Sequence, residues 1–306
     1  MPSSDLHPLS LEKLLPFALL AVAEVEDPHR VKAALALNAL RLRFPQWTIY
    51  SEQLLEHAQF FNTPAMAGPI TPQLSFPIKY GPRAAERFMI SAVFPLAYRA
   101  AQDWVEQIGL AALMMHFRLR ALSESSYLAH RLSIWLSFVE AEKVITNPFQ
   151  RALLLERFVE FIAHAFYGVA EDCSVSAQRF DFASALKLCA RCPGFFAHHL
   201  IALAWLYKAR IGLNTDEIQQ AYQSIASTVF VQYGETDDHL LPPLPWRECS
   251  DADWPQHLLQ FALQLRSNIH IATLAEALSV LWDASDLAGR SELLNAMDRL
   301  LNAQSG

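Results

Sequence analysis

Histidines are the residues of this chain whose type and spacing best suit chemistry. Of eleven in 306 residues, His130, His199 and His270 each precede a mostly apolar helical segment, at intervals of 69 and 71 residues. Imidazole transfers protons near neutral pH and ligates transition metals, and helix bundles build such sites from side chains on several helices. We predict that these three side chains face one interior cavity and are catalytic. Alternatively, a backbone carbonyl or carboxylate satisfies each ring singly.

A carboxylate–histidine stripe is the second candidate. Glu156, Glu160 and His164 are spaced four apart and share one face of a helix. Such a stripe can ligate iron or zinc, but neither the Glu-x-x-His pair of di-iron bundles nor His-Glu-x-x-His occurs here. We therefore interpret the stripe as a solvated face with a local Glu–His pair, and no metal ligand is predicted.

The cysteines offer one pair at zinc-ligand spacing. Cys189 and Cys192 form Cys-x-x-Cys, with His198 and His199 close behind, but no second pair follows at finger spacing. Pro193 after this pair indicates a helix end and a turn rather than a metal knuckle. We interpret the four cysteines as reduced cytosolic thiols: Cys173, Cys189, Cys192 and Cys249.

Composition excludes several classes of function. The formal net charge is −7 with no basic stripe, so a nucleic-acid partner is not expected. No run of 18 apolar residues occurs, so no membrane span is predicted. The apolar stretch 14–23 follows acidic residues, which favours an amphipathic helix over a secretion signal and predicts a cytoplasmic protein. The usual nucleotide-binding and hydrolase motifs are missing, and nine glycines make a phosphate-binding loop improbable.

The elements that must position these residues are helices. Periodicity of 3.6 residues runs along the chain, and 53% hydrophobic against 18% charged residues indicates a large interior. We predict one all-α domain over residues 1–306, with about a dozen helices. Pro95 should kink the fourth of them or divide it in two. The predicted helices are 11–24, 29–43, 51–61, 83–106, 109–122, 127–144, 149–167, 180–191, 195–211, 215–229, 254–266, 269–283 and 290–303.

Two proline-rich segments cannot be regular helix. Residues 62–82 hold five prolines and residues 242–255 hold four. Loops of this length inside a compact domain are either functional covers or stiff surface crossovers, and the crossover is the simpler interpretation.

A weak internal repeat connects the histidine-headed helices. Each has a small residue three positions after the histidine and Ile or Leu at the fourth. This indicates pseudo-repeats of about 70 residues. The competing explanation is chance similarity among Ala/Leu-rich helices.

Three segments resemble the questin oxidase-like family. Leu14-Leu15-Pro16-Phe17-Ala18-Leu19 is similar to its early His-Leu-Pro-Met-Ala-Leu stretch, Ala129-His130-Arg131-Leu132 to its central His-Pro-Leu-Ile, and residues 268–273 to its late histidine helix. The resemblance implies Baeyer–Villiger oxidation of an aromatic or polyketide-like substrate, with NADPH as cofactor. Leu14 replaces the family's first histidine and Arg131 replaces its proline, which puts any chemistry needing that first histidine in doubt.

We therefore expect a small-molecule tailoring enzyme, an oxidoreductase of the oxygenase class, with a histidine-lined pocket. Three tryptophans could line an aromatic substrate's site, although core positions suit them better: Trp135, Trp205 and Trp282. The alternative is a non-catalytic helical scaffold that binds a protein or peptide, or a homo-oligomer. Convergence of the histidines favours the enzyme, and their dispersal favours the scaffold.

Overall fold

The chain folds into helices joined by short turns and a few longer loops. The computed structural model describes residues 7–21, 29–71, 77–123, 129–168, 179–230 and 242–303. Across these residues the only β-type pairing is an isolated bridge between Ala21 and Ala65. The predicted all-α class is confirmed. Fifteen α-helices lie in the described part: α1 (Leu11–Leu20), α2 (His29–Arg43), α3 (Ser51–His57), α4 (Pro82–Ile90), α5 (Leu96–Ile108), α6 (Leu110–His116), α7 (Arg118–Leu122), α8 (His130–Val144), α9 (Pro148–Phe166), α10 (Phe182–Arg191), α11 (His198–Ala209), α12 (Thr215–Phe230), α13 (Trp254–Gln264), α14 (His270–Ala284) and α15 (Leu287–Ala303).

Local sequence explains several helix starts. The Asn147 side chain accepts hydrogen bonds from the backbone N–H groups of Phe149 and Gln150 at 2.9 and 3.3 Å, and Pro148 follows in the first turn. Helix α12 begins with a reciprocal box in which Asn214 and Glu217 each accept from the other's backbone N–H at 3.0 Å. Asn214 is therefore its N-cap.

The predicted helix 83–106 is two helices. Helix α4 ends at Ile90, and α5 begins directly after Pro95. A proline inside a helix removes a backbone donor and clashes with the preceding turn, so the break falls where the sequence predicts it.

Four helices pack as a closed ring at the centre of the fold. Helix α2 contacts α8 and α14, and α11 contacts the same two helices from the other side. Residues 198–206 of α11 are all buried. The three tryptophans lie in the core, as expected, each with 1% of its surface exposed: Trp135, Trp205 and Trp282. Because each ring helix begins with a histidine, this packing decides where the imidazoles lie.

The described parts of the proline-rich segments, which exclude residues 72–76, form hydrogen bonds with neighbouring helices. In the first, the Met66 N–H donates to the Leu20 carbonyl at 2.8 Å and the Thr71 N–H donates to Glu156 at 2.5 Å. In the second, the Arg247 N–H donates to the Ser291 hydroxyl of α15 at 2.9 Å. These bonds suit crossovers attached to the helices.

Among the described residues, no helix combines the length and the apolar character needed to cross a bilayer.

Candidate metal centre

Four histidines meet where the four ring helices begin. His29, His130, His198 and His270 are the first residues of α2, α8, α11 and α14. One ring nitrogen from each lies within 4.8 Å of the others. Neighbouring ring centroids around the cluster are 4.6 to 4.9 Å apart, and the rings of His29 and His198, across it, are 6.4 Å apart. The four rings thus stand at the corners of a distorted square.

Backbone strain accompanies two of these histidines. Ala129, directly before His130, has φ 52°, and Ala197, directly before His198, has φ 59°. Phe196 is also left-handed, with φ 49°. A non-glycine residue in this region costs on the order of 1–3 kcal/mol and persists only where surrounding structure enforces it. Strain of this kind concentrates at functional sites, and here it lies directly before two of the four clustered histidines, His130 and His198.

Hydrogen bonds fix the orientation of two rings. His198 donates from Nδ1 to the Phe195 carbonyl, and His270 Nδ1 lies 2.5 Å from the Asn268 side-chain oxygen. Because these oxygens only accept, both Nδ1 atoms carry the hydrogen and both Nε2 atoms carry a lone pair. Metal-ligating histidines in proteins make the same second hydrogen bond, which orients the ring. Nε2 of His270 is buried and has no hydrogen-bond partner.

The remaining two histidines contact each other directly. Nε2 of His130 lies 2.9 Å from Nε2 of His29, so one ring donates and the other accepts. Binding of a metal ion by both Nε2 atoms would require the donating ring to move its hydrogen from Nε2 to Nδ1.

Burial keeps three histidines of the cluster uncharged. It is the main cause that lowers the pKa of His130, His198 and His270 well below the ordinary value of 6.5, and the Lys32 ammonium lowers these pKa values further. All three rings are neutral at pH 7. Neutral imidazole is the form that binds metal ions.

The surroundings of the cluster favour negative charge. The positive ends of four helix dipoles converge on it, since each histidine is the first residue of its helix. Lys32, one turn along α2 from His29, is fully buried and donates from Nζ to Ser133 Oγ at 3.2 Å. A cation here would therefore be most stable together with an anionic ligand.

Four imidazole ligands suit a definite set of metals. Imidazole suits zinc, copper, iron and nickel, whereas magnesium and calcium require oxygen ligands. A tetrahedral ion would be saturated by four histidines, while a six-coordinate ion would keep two positions for other ligands. No metal ligand was expected from sequence motifs, so the candidate site emerges from the geometry alone.

The predicted trio His130, His199 and His270 is corrected at one position. His130 and His270 lie together as expected, but His198, not His199, accompanies them. His199 is buried, and its Nδ1 contacts the Cys192 carbonyl oxygen at 2.7 Å. Consecutive residues project about 100° apart on a helix, so only one of the pair can face the cluster.

His29 and His198 were missed, although the sequence holds a signal for each. Ala129-His130 matches Ala197-His198, and a leucine follows each histidine two residues later. His29-Arg30 likewise matches His130-Arg131. Aligning on the residue before the histidine would have selected His198.

The expected solvated face on α9 is wrong. Glu156 is fully buried and Glu160 is 4% exposed, whereas His164 is exposed. The reason is that α9 packs against α1, α4, α5 and α8, which leaves little of its circumference to solvent. The two carboxylates instead bind partners inside the protein.

The cysteine pair is buried at a helix end. Cys189 lies in α10, which ends at Arg191, and Cys192 follows, as the sequence indicates. The described cysteines are free thiols: Cys189, Cys192 and Cys249. Burial raises the pKa of the Cys189 thiol, which makes it unreactive. Cys173 lies outside the described residues.

Three surface cavities in the described part of the chain have volumes of 480, 450 and 440 Å³. None of the four histidines lines them. The cluster is therefore a set of mutually contacting rings set apart from these three cavities.

Comparison with protein-family models, curated proteins and solved structures finds no match to this chain. The candidate site thus stands on its own geometry.

Proposed function

We propose that this protein is a metal-dependent oxygenase that acts on a small molecule, with His29, His130, His198 and His270 as the metal ligands. The observation that carries the proposal is the convergence of four imidazole nitrogens within 4.8 Å at the starts of four packed helices. Dispersal of the histidines would have favoured a non-catalytic scaffold.

A metal ion accounts for the cluster better than packing does. Lone pairs that face one another without a proton or cation between them repel, and a buried acceptor without a partner costs stability. His198 and His270 are both held with Nε2 as the lone-pair nitrogen, and Nε2 of His270 lacks a partner. Apolar side chains would fill the same volume without these costs. A Lewis acid bound by all four rings removes them.

Among the metals that imidazole binds, iron best suits both the four-histidine ligand set and oxygenase chemistry. In a six-coordinate ion, four histidines leave two positions open, whereas a tetrahedral zinc would have none. A redox-active metal ion here would supply the activation of dioxygen that an oxygenation requires.

The resemblance to the questin oxidase-like family suggests the reaction. In a Baeyer–Villiger oxidation, one oxygen atom of dioxygen is inserted between a carbonyl carbon and its neighbour, and the other leaves as water. NADPH supplies the two electrons and, with a proton from solvent, balances the equation: a ketone becomes an ester and NADP⁺ is released. Lys32 and the helix starts would stabilise negative charge that develops on the substrate oxygen.

A cytoplasmic location is part of the proposal. It is supported by the free thiols of the described cysteines, because glutathione keeps cytosolic thiols reduced. The proposed partner is a small-molecule substrate.

Metal analysis of the purified protein tests the proposal directly. We expect about one equivalent of iron per chain after anaerobic reconstitution with Fe(II), as a single four-ligand site requires. His198→Ala and His270→Ala should lose the metal. His199→Gln is the matched control, because it changes the neighbouring buried histidine on the same helix and should retain the metal.

Open coordination positions are tested with nitric oxide, a dioxygen analogue. The iron-loaded protein should give the electron paramagnetic resonance signal of an iron–nitrosyl complex, and His270→Ala should not. Metal binding without nitric oxide binding would indicate a saturated structural site and end the oxygenase proposal. Failure to bind iron, zinc, copper or nickel would remove the metal centre and favour the scaffold.

A further inference from the structure

A second candidate site lies away from the histidine cluster, where the α4–α5 loop meets α9. A cleft of 440 Å³ opens there between Phe94 and Tyr98 on one side and Glu160, His164 and Tyr167 on the other. Its features do not depend on the proposed metal centre.

A buried carboxyl group forms the inner wall of this cleft. Glu160 Oε1 accepts hydrogen bonds from the Tyr98 hydroxyl at 2.5 Å and from Arg157 Nη2 at 2.7 Å. The Glu160 side chain is 3% exposed, and its second oxygen, Oε2, is buried with no hydrogen-bond partner. One carboxylate oxygen is thus fixed by protein donors, and the negative charge of the group is only partly compensated by hydrogen bonds.

Burial and two neighbouring charged groups affect the protonation of Glu160 in opposite directions. Burial raises its pKa to about 7, the Arg157 guanidinium opposes that shift, and the nearby Glu156 carboxylate reinforces it. With both glutamates ionised, these three side chains carry a net charge of −1. A cation in the cleft would stabilise the ionised form of Glu160 in the same way that Arg157 does.

Aromatic rings surround the mouth of the cleft. The rings of Phe94 and Tyr98 lie 4.8 Å apart, and Phe94 and Tyr167 are 41% and 66% exposed. Ala92, on the rim, has φ 53°, a strained conformation for a residue with a side chain. Exposed aromatic faces beside a buried carboxylate form the arrangement that recognises organic cations.

We infer that this cleft binds a small organic ammonium ion, with the charge directed at the Glu160 carboxylate and the alkyl groups against Phe94, Tyr98 and Tyr167. A neutral ligand of the same shape would gain the apolar contacts but would lack the electrostatic attraction to that carboxylate. An anion in the cleft would face the Glu160 carboxylate, because the Arg157 guanidinium is not among the groups that line the cleft.

A matched set of three probes tests the inference by isothermal titration calorimetry on the full-length protein. Benzyltrimethylammonium is the cation, neopentylbenzene its neutral isostere, and benzoate the anion. We expect the cation to bind at least about tenfold more tightly than the isostere, because Coulombic attraction to the carboxylate and cation–π contacts with the rings act on the cation alone. Benzoate should not bind.

Variants assign the binding to the cleft. Glu160→Gln should weaken binding of the cation by about tenfold or more, and Tyr167→Ala by about two- to fivefold, as loss of one exposed cation–π contact predicts. Glu276→Gln is the control, because Glu276 is equally buried and bonded to Lys208 but lies outside the cleft. It should bind like the wild type. Circular dichroism establishes that each variant is folded.

Several results would overturn the inference. Equal affinity for the isostere, binding of benzoate in place of the cation, or an unchanged Glu160→Gln variant would each exclude Glu160 as the recognition element. The same holds if the wild type binds no cation up to about 10 mM, a concentration above which affinity is negligible. Tyr167→Ala changes an exposed side chain, so it keeps the test valid if Glu160→Gln does not fold.

Discussion

Replacing His270 with glutamine should flatten the acid sensitivity of the metal-free protein. In the folded state, burial holds the pKa of His270 well below 6.5, whereas in the unfolded chain the ring titrates at its ordinary value. Below pH 6.5, the His270 ring therefore binds a proton in the unfolded state but not in the folded state. The contribution of neutral His270 to the free energy of unfolding is fully present above pH 6.5 and is lost as the pH falls below that value.

The size of the effect follows from proton linkage. A histidine that stays neutral when folded loses about 1.4 kcal/mol of stability between roughly pH 7.5 and pH 5.5, because the unfolded state gains nearly one bound proton. His130, His198 and His270 together account for about 4 kcal/mol. Glu160 acts in the opposite direction, since its folded pKa of about 7 exceeds its unfolded value of 4.5. Its protonation returns about 2 kcal/mol over the same interval.

The assay is urea unfolding of chelator-treated protein at several pH values. The variant His270→Gln should lose about 1.4 kcal/mol less stability across the interval than its parent, because the contributions of all other groups cancel in the comparison. An identical pH dependence for parent and variant would mean that His270 is protonated in the fold. The His270 ring would then not be a neutral ligand in the folded protein.

Three further predictions concern the surroundings of the cluster. Asn268→Ala removes the acceptor that orients the His270 ring and should weaken metal binding about 10- to 100-fold in a competition titration, whereas Asn214→Ala, which removes the cap of α12, should not. Ala197→Gly should relieve left-handed strain and leave the free energy of unfolding unchanged or raise it by up to about 1 kcal/mol. Ala204→Gly, in the right-handed interior of α11, should lower it by about 1 kcal/mol or more, and equal losses in both variants would refute the strain. Thiol titration of non-reduced protein should find free thiols at Cys189, Cys192 and Cys249, with the partly exposed Cys249 reacting faster than the two buried cysteines. A disulfide at any of them would contradict this prediction.

Local sequence determined most of the secondary structure. Periodicity of apolar residues places the helices, Asn147 and Pro148 start α9, and Pro95 separates α4 from α5. These signals act within one or two turns of backbone and need no distant partner. They also placed His130 and His270 at helix starts, which is why both predictions of position hold.

Tertiary structure decided which histidines meet. His198 and His199 are neighbours in an apolar helix, and periodicity alone favours neither. The left-handed Ala197 and the contacts of α11 with α8 and α14 turn His198 into the cluster and His199 toward the Cys192 carbonyl. Similarly, the sequence of α9 by itself predicts an amphipathic helix, but packing on several sides buries Glu156 and Glu160. A sequence pattern records which face of a helix can be polar, and only the packing of the other helices decides whether that face meets water or another buried group.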